Sequence, residues 1–211
     1  MRIIAGEHRG RRLVGPTDDR TTRPITDRVK EALFARLTAM GLFGDFEAGA
    51  VADVFCGTGS LGLEALSRGA RRCVFVDRDR SALSGLQENL EALSEVERGT
   101  VHRGDALAVA RWAGAAGEPY GVVFLDPPFP LMTERPGDVA EALGRVAARA
   151  LHPEGVVMLR TPSEVPAPAA AGLRRVRSDA YGGMSLHLYE RVVAVAAEPD
   201  GAGPGVPESG D

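Results

Sequence analysis

From about residue 50 the chain alternates short apolar runs with amphipathic segments. Val51-Ala52-Asp53-Val54-Phe55 reads as a buried strand, followed by Cys56-Gly57-Thr58-Gly59 and a helix through Leu63, Glu64 and Leu66 that Gly69 stops. Cys73-Val74-Phe75-Val76-Asp77 predicts a second strand. After it, Leu83, Leu86, Leu90 and Leu93 recur three or four apart and predict one apolar helix face. Thr100-Val101-His102 is a short third strand, and Val122-Val123-Phe124-Leu125 a fourth that ends abruptly at Asp126-Pro127-Pro128-Phe129. A helix near residues 137–150 precedes a fifth strand, Gly155-Val156-Val157-Met158-Leu159. Strand–helix alternation of this kind predicts an α/β domain with a doubly wound, mostly parallel sheet. Leu173-Arg174-Arg175-Val176-Arg177 and Ser185-Leu186-His187-Leu188-Tyr189 then predict two closing strands, one antiparallel to the rest.

Residues 1–40 stand outside the alternation. Ile3-Ile4-Ala5-Gly6 and Arg11-Arg12-Leu13-Val14 flank a Gly/His/Arg turn and predict a small hairpin. Val29, Leu33, Leu37 and Met40 form the stripe of a helix that begins near Thr26 or Asp27 and ends at Gly41. The expected division is a basic extension over residues 1–40, a catalytic domain over 41–191 and an acidic tail over 192–211.

Gly57-x-Gly59-x-x-Gly62 follows a strand and opens a helix, the spacing of a dinucleotide-binding loop. Asp77 ends the next strand, where a carboxylate accepts hydrogen bonds from ribose hydroxyls. This pattern alone does not separate NAD from S-adenosyl-L-methionine. Asp53, at the first strand end, suits the ammonium of a bound amino acid and repels a pyrophosphate. Asp105, after the third strand, is placed to accept from an adenine amino group. A cofactor with a cationic amino-acid end, a ribose and an adenine fits all three carboxylates.

Asp126-Pro127-Pro128-Phe129 sits at the carboxyl edge of the sheet, where open α/β folds bind ligands. Two prolines stiffen the backbone and remove amide donors, leaving the Asp126 carboxylate and the Pro127 carbonyl as acceptors beside an aromatic face. Such a corner suits an exocyclic amino group on a planar base, with Phe129 stacking on the ring. Neither cysteine fits covalent catalysis, since Cys56 lies in the glycine loop and Cys73 begins a strand. No Cys/His cluster has zinc spacing, so no metal is expected.

Composition changes this picture in one respect. The formal charge of −4 over 211 residues argues against a nucleic-acid partner until it is resolved by segment. Residues 1–40 carry nine basic and five acidic groups, and residues 190–211 one basic and five acidic. The last fifteen residues, AEPDGAGPGVPESGD, are rich in Gly and Pro and are expected to be disordered. The whole-chain value therefore hides a basic front end behind an acidic tail. No 18-residue apolar run exists, which excludes a membrane helix, and the first residues lack a signal-peptide core. A cytoplasmic location is expected.

Three further segments carry a family resemblance. Arg2-Ile3-Ile4-Ala5-Gly6…Arg9-Gly10-Arg11-Arg12-Leu13 opens the chain, and Arg23-Pro24-Ile25-Thr26-Asp27-Arg28-Val29-Lys30-Glu31 follows. Leu61-Gly62-Leu63-Glu64-Ala65-Leu66-Ser67-Arg68-Gly69-Ala70 extends the glycine loop. Together with Asp53–Gly59 and Asp126–Phe129, they resemble the bacterial 16S ribosomal RNA guanine-N2 methyltransferases over about residues 1–191. The resemblance implies a Rossmann-like class I methyltransferase fold with a small N-terminal hairpin-plus-helix extension. It also implies transfer of methyl from S-adenosyl-L-methionine to the N2 amine of one guanine, in RNA of the assembled or assembling 30S subunit.

Asp53, Phe55, Gly57, Gly59, Asp77 and Asp105 would then serve the cofactor, and Asp126, Pro127 and Phe129 catalysis. Arg9, Arg11, Arg12, Arg23, Thr26 and Arg28 would meet the RNA, with residues 26–31 closing over the target base. A monomer is expected. Met158-Leu159-Arg160-Thr161 departs from the family's usual acidic ending of the fifth strand. Other readings of the same residues are a DNA adenine-N6 methyltransferase, an NAD(P)-dependent oxidoreductase, and a non-catalytic RNA-binding assembly factor.

Overall fold

The structure, a computed structural model, describes residues 1–15, 25–43 and 49–192. Arg23 and the C-terminal segment expected to be disordered lie outside the described residues.

Five strands run parallel: β1 (Ala50–Val54), β2 (Arg72–Asp77), β3 (Gly99–Arg103), β4 (Tyr120–Leu125) and β5 (Leu151–Pro162). The closing pair, β6 (Leu173–Tyr181) and β7 (Met184–Arg191), gives the order β3-β2-β1-β4-β5-β7-β6, with β7 antiparallel to both neighbours. The strands expected from apolar runs are all present, and β5 extends well beyond the expected Gly155–Leu159. Strand order reverses between β1 and β4, so a crevice opens beyond their carboxyl ends.

The helices are α1 (Asp27–Ala39), α2 (Ser60–Ser67), α3 (Arg80–Leu93), α4 (Phe129–Glu134) and α5 (Pro136–Arg149). They cover both sheet faces. Val51, Phe75, Phe124 and Met158 pack with the apolar residues of α1, α2 and α3. Their sequence neighbours Ala52, Val74, Val123 and Val157 pack with Trp112 and α5, as strand alternation requires. Burial on both sides explains why β1 and β4 read as continuous apolar runs rather than alternating ones. Among the described residues no helix is long and apolar enough to cross a membrane.

The front end departs from expectation in three ways. Its hairpin is minimal, a single antiparallel bridge between Arg2 and Arg12. Met40 is not part of the buried stripe of α1; it is the C-cap and 38% exposed, while Phe34 takes the inward place. Residues 26–31, expected to close over the target base, are built into the start of α1. Thr26 is the N-cap of α1, and Val29 and Lys30 are already buried one turn in.

Lys30 reaches Glu64 of α2 at 3.4 Å and donates to the Arg2 carbonyl at 2.7 Å. Glu64, fully buried, also accepts from the Ile4 and Ala5 amides and from Arg68. A carboxylate taken out of water needs such a set of partners, and here they tie the first residues to α2.

Candidate active site

The loop after β1 is shaped by residues with left-handed backbone. Phe55, Gly57 and Gly59 have φ of 62°, 54° and 84°. At Gly59 a Cβ would lie 2.4 Å from the buried Leu86 Cδ1, so a side chain is excluded there by both backbone and space. At Gly57 a Cβ would meet nothing, so its openness leaves backbone accessible from the crevice.

Two carboxylates hold this loop. Asp53, 2% exposed, accepts from the Gly62 amide at 2.8 Å, in the first turn of α2. Asp77 accepts from the Gly57 amide at 2.8 Å through one oxygen and from the Asp79 amide at 2.9 Å through the other. Burial pushes the Asp53 carboxyl up to about 8, and the nearby charges of Asp126 and Asp77 add to the shift, which the Gly62 amide opposes. Asp105 accepts from the Leu107 amide at 3.0 Å and is exposed.

Across the crevice, Asp126 follows β4, its amide bonded to the Val54 carbonyl at 3.1 Å. Pro127 is buried behind it. The corner expected at the two prolines turns directly into a short helix, α4, which Phe129 opens with Pro128 as its N-cap. Proline is well tolerated in a first helical turn, where amides have no intrahelical partner. Arg160, near the end of β5, forms an ion pair with Asp126 at 2.5 Å, and its guanidinium stands 5.4 Å from the centre of the Phe129 ring. Burial raises the Asp126 carboxyl above its ordinary value, and Arg160 opposes that rise.

These residues surround a crevice of about 1110 Å³, large enough for a cofactor and part of an acceptor together. Of the expected site residues, Asp53, Phe55, Gly57, Asp77, Asp105 and Asp126 line it. Gly59, Pro127 and Phe129 stand behind that lining. Arg9, Arg11, Arg12, Thr26 and Arg28 are exposed and not part of its lining, and Arg11 donates to the Ala92 carbonyl at 2.6 Å. Sequence reasoning did not anticipate Arg160 in the lining, nor Met1 and Ile25 from the front end. The unusual base at the end of β5 was the available signal for Arg160.

The donor set fits a cationic ligand. The charges of Asp126 and Asp77 disfavour ionisation of Asp53, and a bound positive charge would offset both that effect and the desolvation of Asp53. A pyrophosphate would aggravate it. A sheet of this order, with carboxylates gathered around a glycine loop at its switch point, defines the class I methyltransferases.

Comparison narrows the class to a family. A family model described as Conserved hypothetical protein 95 matches residues 1–190, and the chain belongs to that family. It is 33% identical over 202 residues to Ribosomal RNA small subunit methyltransferase D of Escherichia coli K12, covering 95% of this chain and 94% of the relative. It is also 33% identical over 193 residues to YlbH of Bacillus subtilis, covering 90% and 99%. The solved structure of yhhF from Escherichia coli superposes with a TM-score of 0.73 at 31% identity, over 90% of this chain and 97% of that one. The resemblance read from the front-end motifs is thereby borne out.

Proposed function

We propose that this chain transfers a methyl group from S-adenosyl-L-methionine to the exocyclic N2 amine of a guanine in 16S ribosomal RNA of the small subunit. The observation that carries this reading is the Asp126-Pro127-Pro128-Phe129 corner, which presents Asp126 and Pro128 to the crevice that the carboxylate-ringed glycine loop also lines. The name of the Escherichia coli relative points to the same class of acceptor.

Asp53 would hold the ammonium of the cofactor, Asp77 its ribose and Asp105 its adenine, with Phe55, Gly57 and Gly59 shaping the loop against it. When bound, the cofactor would supply an electrophilic methyl, and the sulfonium sulfur that gives it up would leave as a neutral thioether. The chain then has to orient the acceptor nitrogen. The Asp126 carboxylate and the Pro127 carbonyl accept its two N–H bonds, which turns the lone pair toward the methyl and loosens its conjugation with the ring. Phe129 supports the plane of the base. As the N–C bond forms, the nitrogen sheds one proton, and the Asp126 carboxylate is the acceptor beside it.

Arg9, Arg11, Arg12, Arg23, Thr26 and Arg28 are the proposed RNA contacts, within a front-end extension over residues 1–40 that grips phosphates. The working form is a cytoplasmic monomer that acts on a 30S subunit or an assembly intermediate. Incubation of the protein and labelled cofactor with 30S subunits lacking the modification is expected to place label on a 16S guanine N2. Efficient label on duplex DNA and none on 16S RNA would overturn the reading in favour of a DNA adenine methyltransferase.

A further inference from the structure

The register of the sheet brings together two residues that no local pattern connects. β4 and β5 pair in parallel with Leu125 beside Leu159, so the next residues, Asp126 and Arg160, emerge side by side at the carboxyl edge. Arg160 is 2% exposed and held on three sides. Its Nε meets the Asp126 carboxylate at 2.5 Å, its guanidinium lies over Phe129, and Nη1 reaches the Met184 sulfur at 3.9 Å. On the far side of the strand, Thr161 bonds to His187 at 3.0 Å, which fixes the end of β5 against β7.

We propose that Arg160 is a positioning residue of the acceptor site, keeping Asp126 an ionised hydrogen-bond acceptor and holding it toward the amine. The argument rests on the amino-methyl transfer reading above. A carboxyl that carries a proton has lost half of its accepting capacity and would offer a donor where the amine already donates.

The groups facing Asp126 make that a real hazard. From β1 comes Asp53, whose own carboxyl is pushed up by burial and by the Asp126 charge. Asp77 of β2, Asp105 after β3 and Glu134 at the end of α4 add acidity to the crevice. Arg78 and Arg103 also line the wall, as does Arg135, which pairs with Asp138. Arg160 is a cation in direct contact with Asp126 through Nε, and the packing of its guanidinium 5.4 Å from the Phe129 ring centre keeps that charge in place. Burial pushes the Asp126 carboxyl up and Arg160 pulls it back, in agreement with the geometry.

The test compares wild type, R160Q and R160K by pH profiles of single-turnover methylation of 30S subunits, with S-adenosylmethionine affinity measured separately by calorimetry. In R160Q the acid limb is expected to move upward by about one to three pH units, the usual effect of losing a contacting opposite charge. R160K, which keeps a cation, is expected to return the limb toward wild type. Cofactor affinity should change far less than the position of the limb in both.

A rate loss in R160Q that is uniform across pH, with the limb unmoved, overturns the proposal. The wild-type protein offers an independent check if R160Q does not fold. The Asp126 carboxyl carbon, assigned by its disappearance in Asp126→Asn, should show the ionised form at neutral pH in carbon NMR. A protonated Asp126 there overturns the proposal. Should wild type label no RNA, it is the functional reading that fails, and the carbon titration still decides the ion pair.

Discussion

The two halves of the crevice handle their carboxylates in opposite ways. On the cofactor side Asp53 and Asp77 are bound by backbone amides of Gly62 and Gly57, and Asp53, protonated below about 8, is left for a cationic ligand to ionise. On the acceptor side Asp126 is met by a side-chain cation, Arg160, within the protein itself. An amide dipole steadies a carboxylate without cancelling it, whereas an arginine cancels much of its charge. The contrast suits the tasks: one half must attract a cation from solution, the other must accept hydrogen bonds from a neutral amine.

The widest separation between the halves is expected from Asp126→Ala. Turnover should fall about 10²-fold or more through lost orientation of the acceptor, while cofactor binding is retained in calorimetry with a far smaller change. An equal loss of cofactor affinity would show that the halves are not independent.

Asp53→Asn addresses the other side, where it should weaken cofactor binding roughly ten- to a hundredfold at alkaline pH, the worth of a charged hydrogen bond. The sign of the pH effect follows from the raised carboxyl. Below about 8 Asp53 carries a proton in the ligand-free protein, so wild-type affinity should rise as pH increases through that value, and Asp53→Asn should flatten the rise. Stability of the ligand-free protein runs the other way. A buried acid that prefers its proton contributes stability that is full below the ordinary carboxylate range and lost as pH rises toward about 8. Asp53→Asn should therefore melt higher than wild type in alkaline buffer.

Gly59→Ala should cost about 1–3 kcal/mol in chemical denaturation, since the new Cβ meets buried Leu86 and the backbone is left-handed. Its effect should appear in cofactor binding and leave the Asp126–Arg160 pair intact. The smallest effects are expected at Arg9→Ala and Arg12→Ala. Each should weaken binding to 16S RNA a fewfold at low salt and reduce the salt slope by about one, with turnover at saturating RNA unchanged.

These halves also differ in how far their sequence discloses them. Asp53, Gly57, Gly59 and Asp77 lie on two consecutive strands and the loop between, so spacing alone places them around one crevice. Asp126 is equally visible, but its partner is not, because Arg160 reaches it only through the pairing of Leu125 with Leu159. Register between strands distant in sequence leaves no local mark. α4 was hidden for a different reason: consecutive prolines suggest a loop, yet they sit where a helix has no amide to lose. In α1 the periodicity marked Val29, Leu33 and Leu37 correctly, while buried Lys30 was masked by its charge.

Glu64 gives the front end a meaning beyond charge. Its carboxylate is bonded to the amides of Ile4 and Ala5, to Arg68 and to Lys30, and it sits in α2, whose first turn Asp53 grips. Peeling the first residues away would strand a buried anion inside the helix that closes the cofactor loop. Local opening of one is thus opening of the other, and the two behave as a single cooperative unit. In hydrogen exchange the amides of Ile4 and Ala5 should share the protection of α2, and a ligand that tightens the glycine loop should slow exchange at both together.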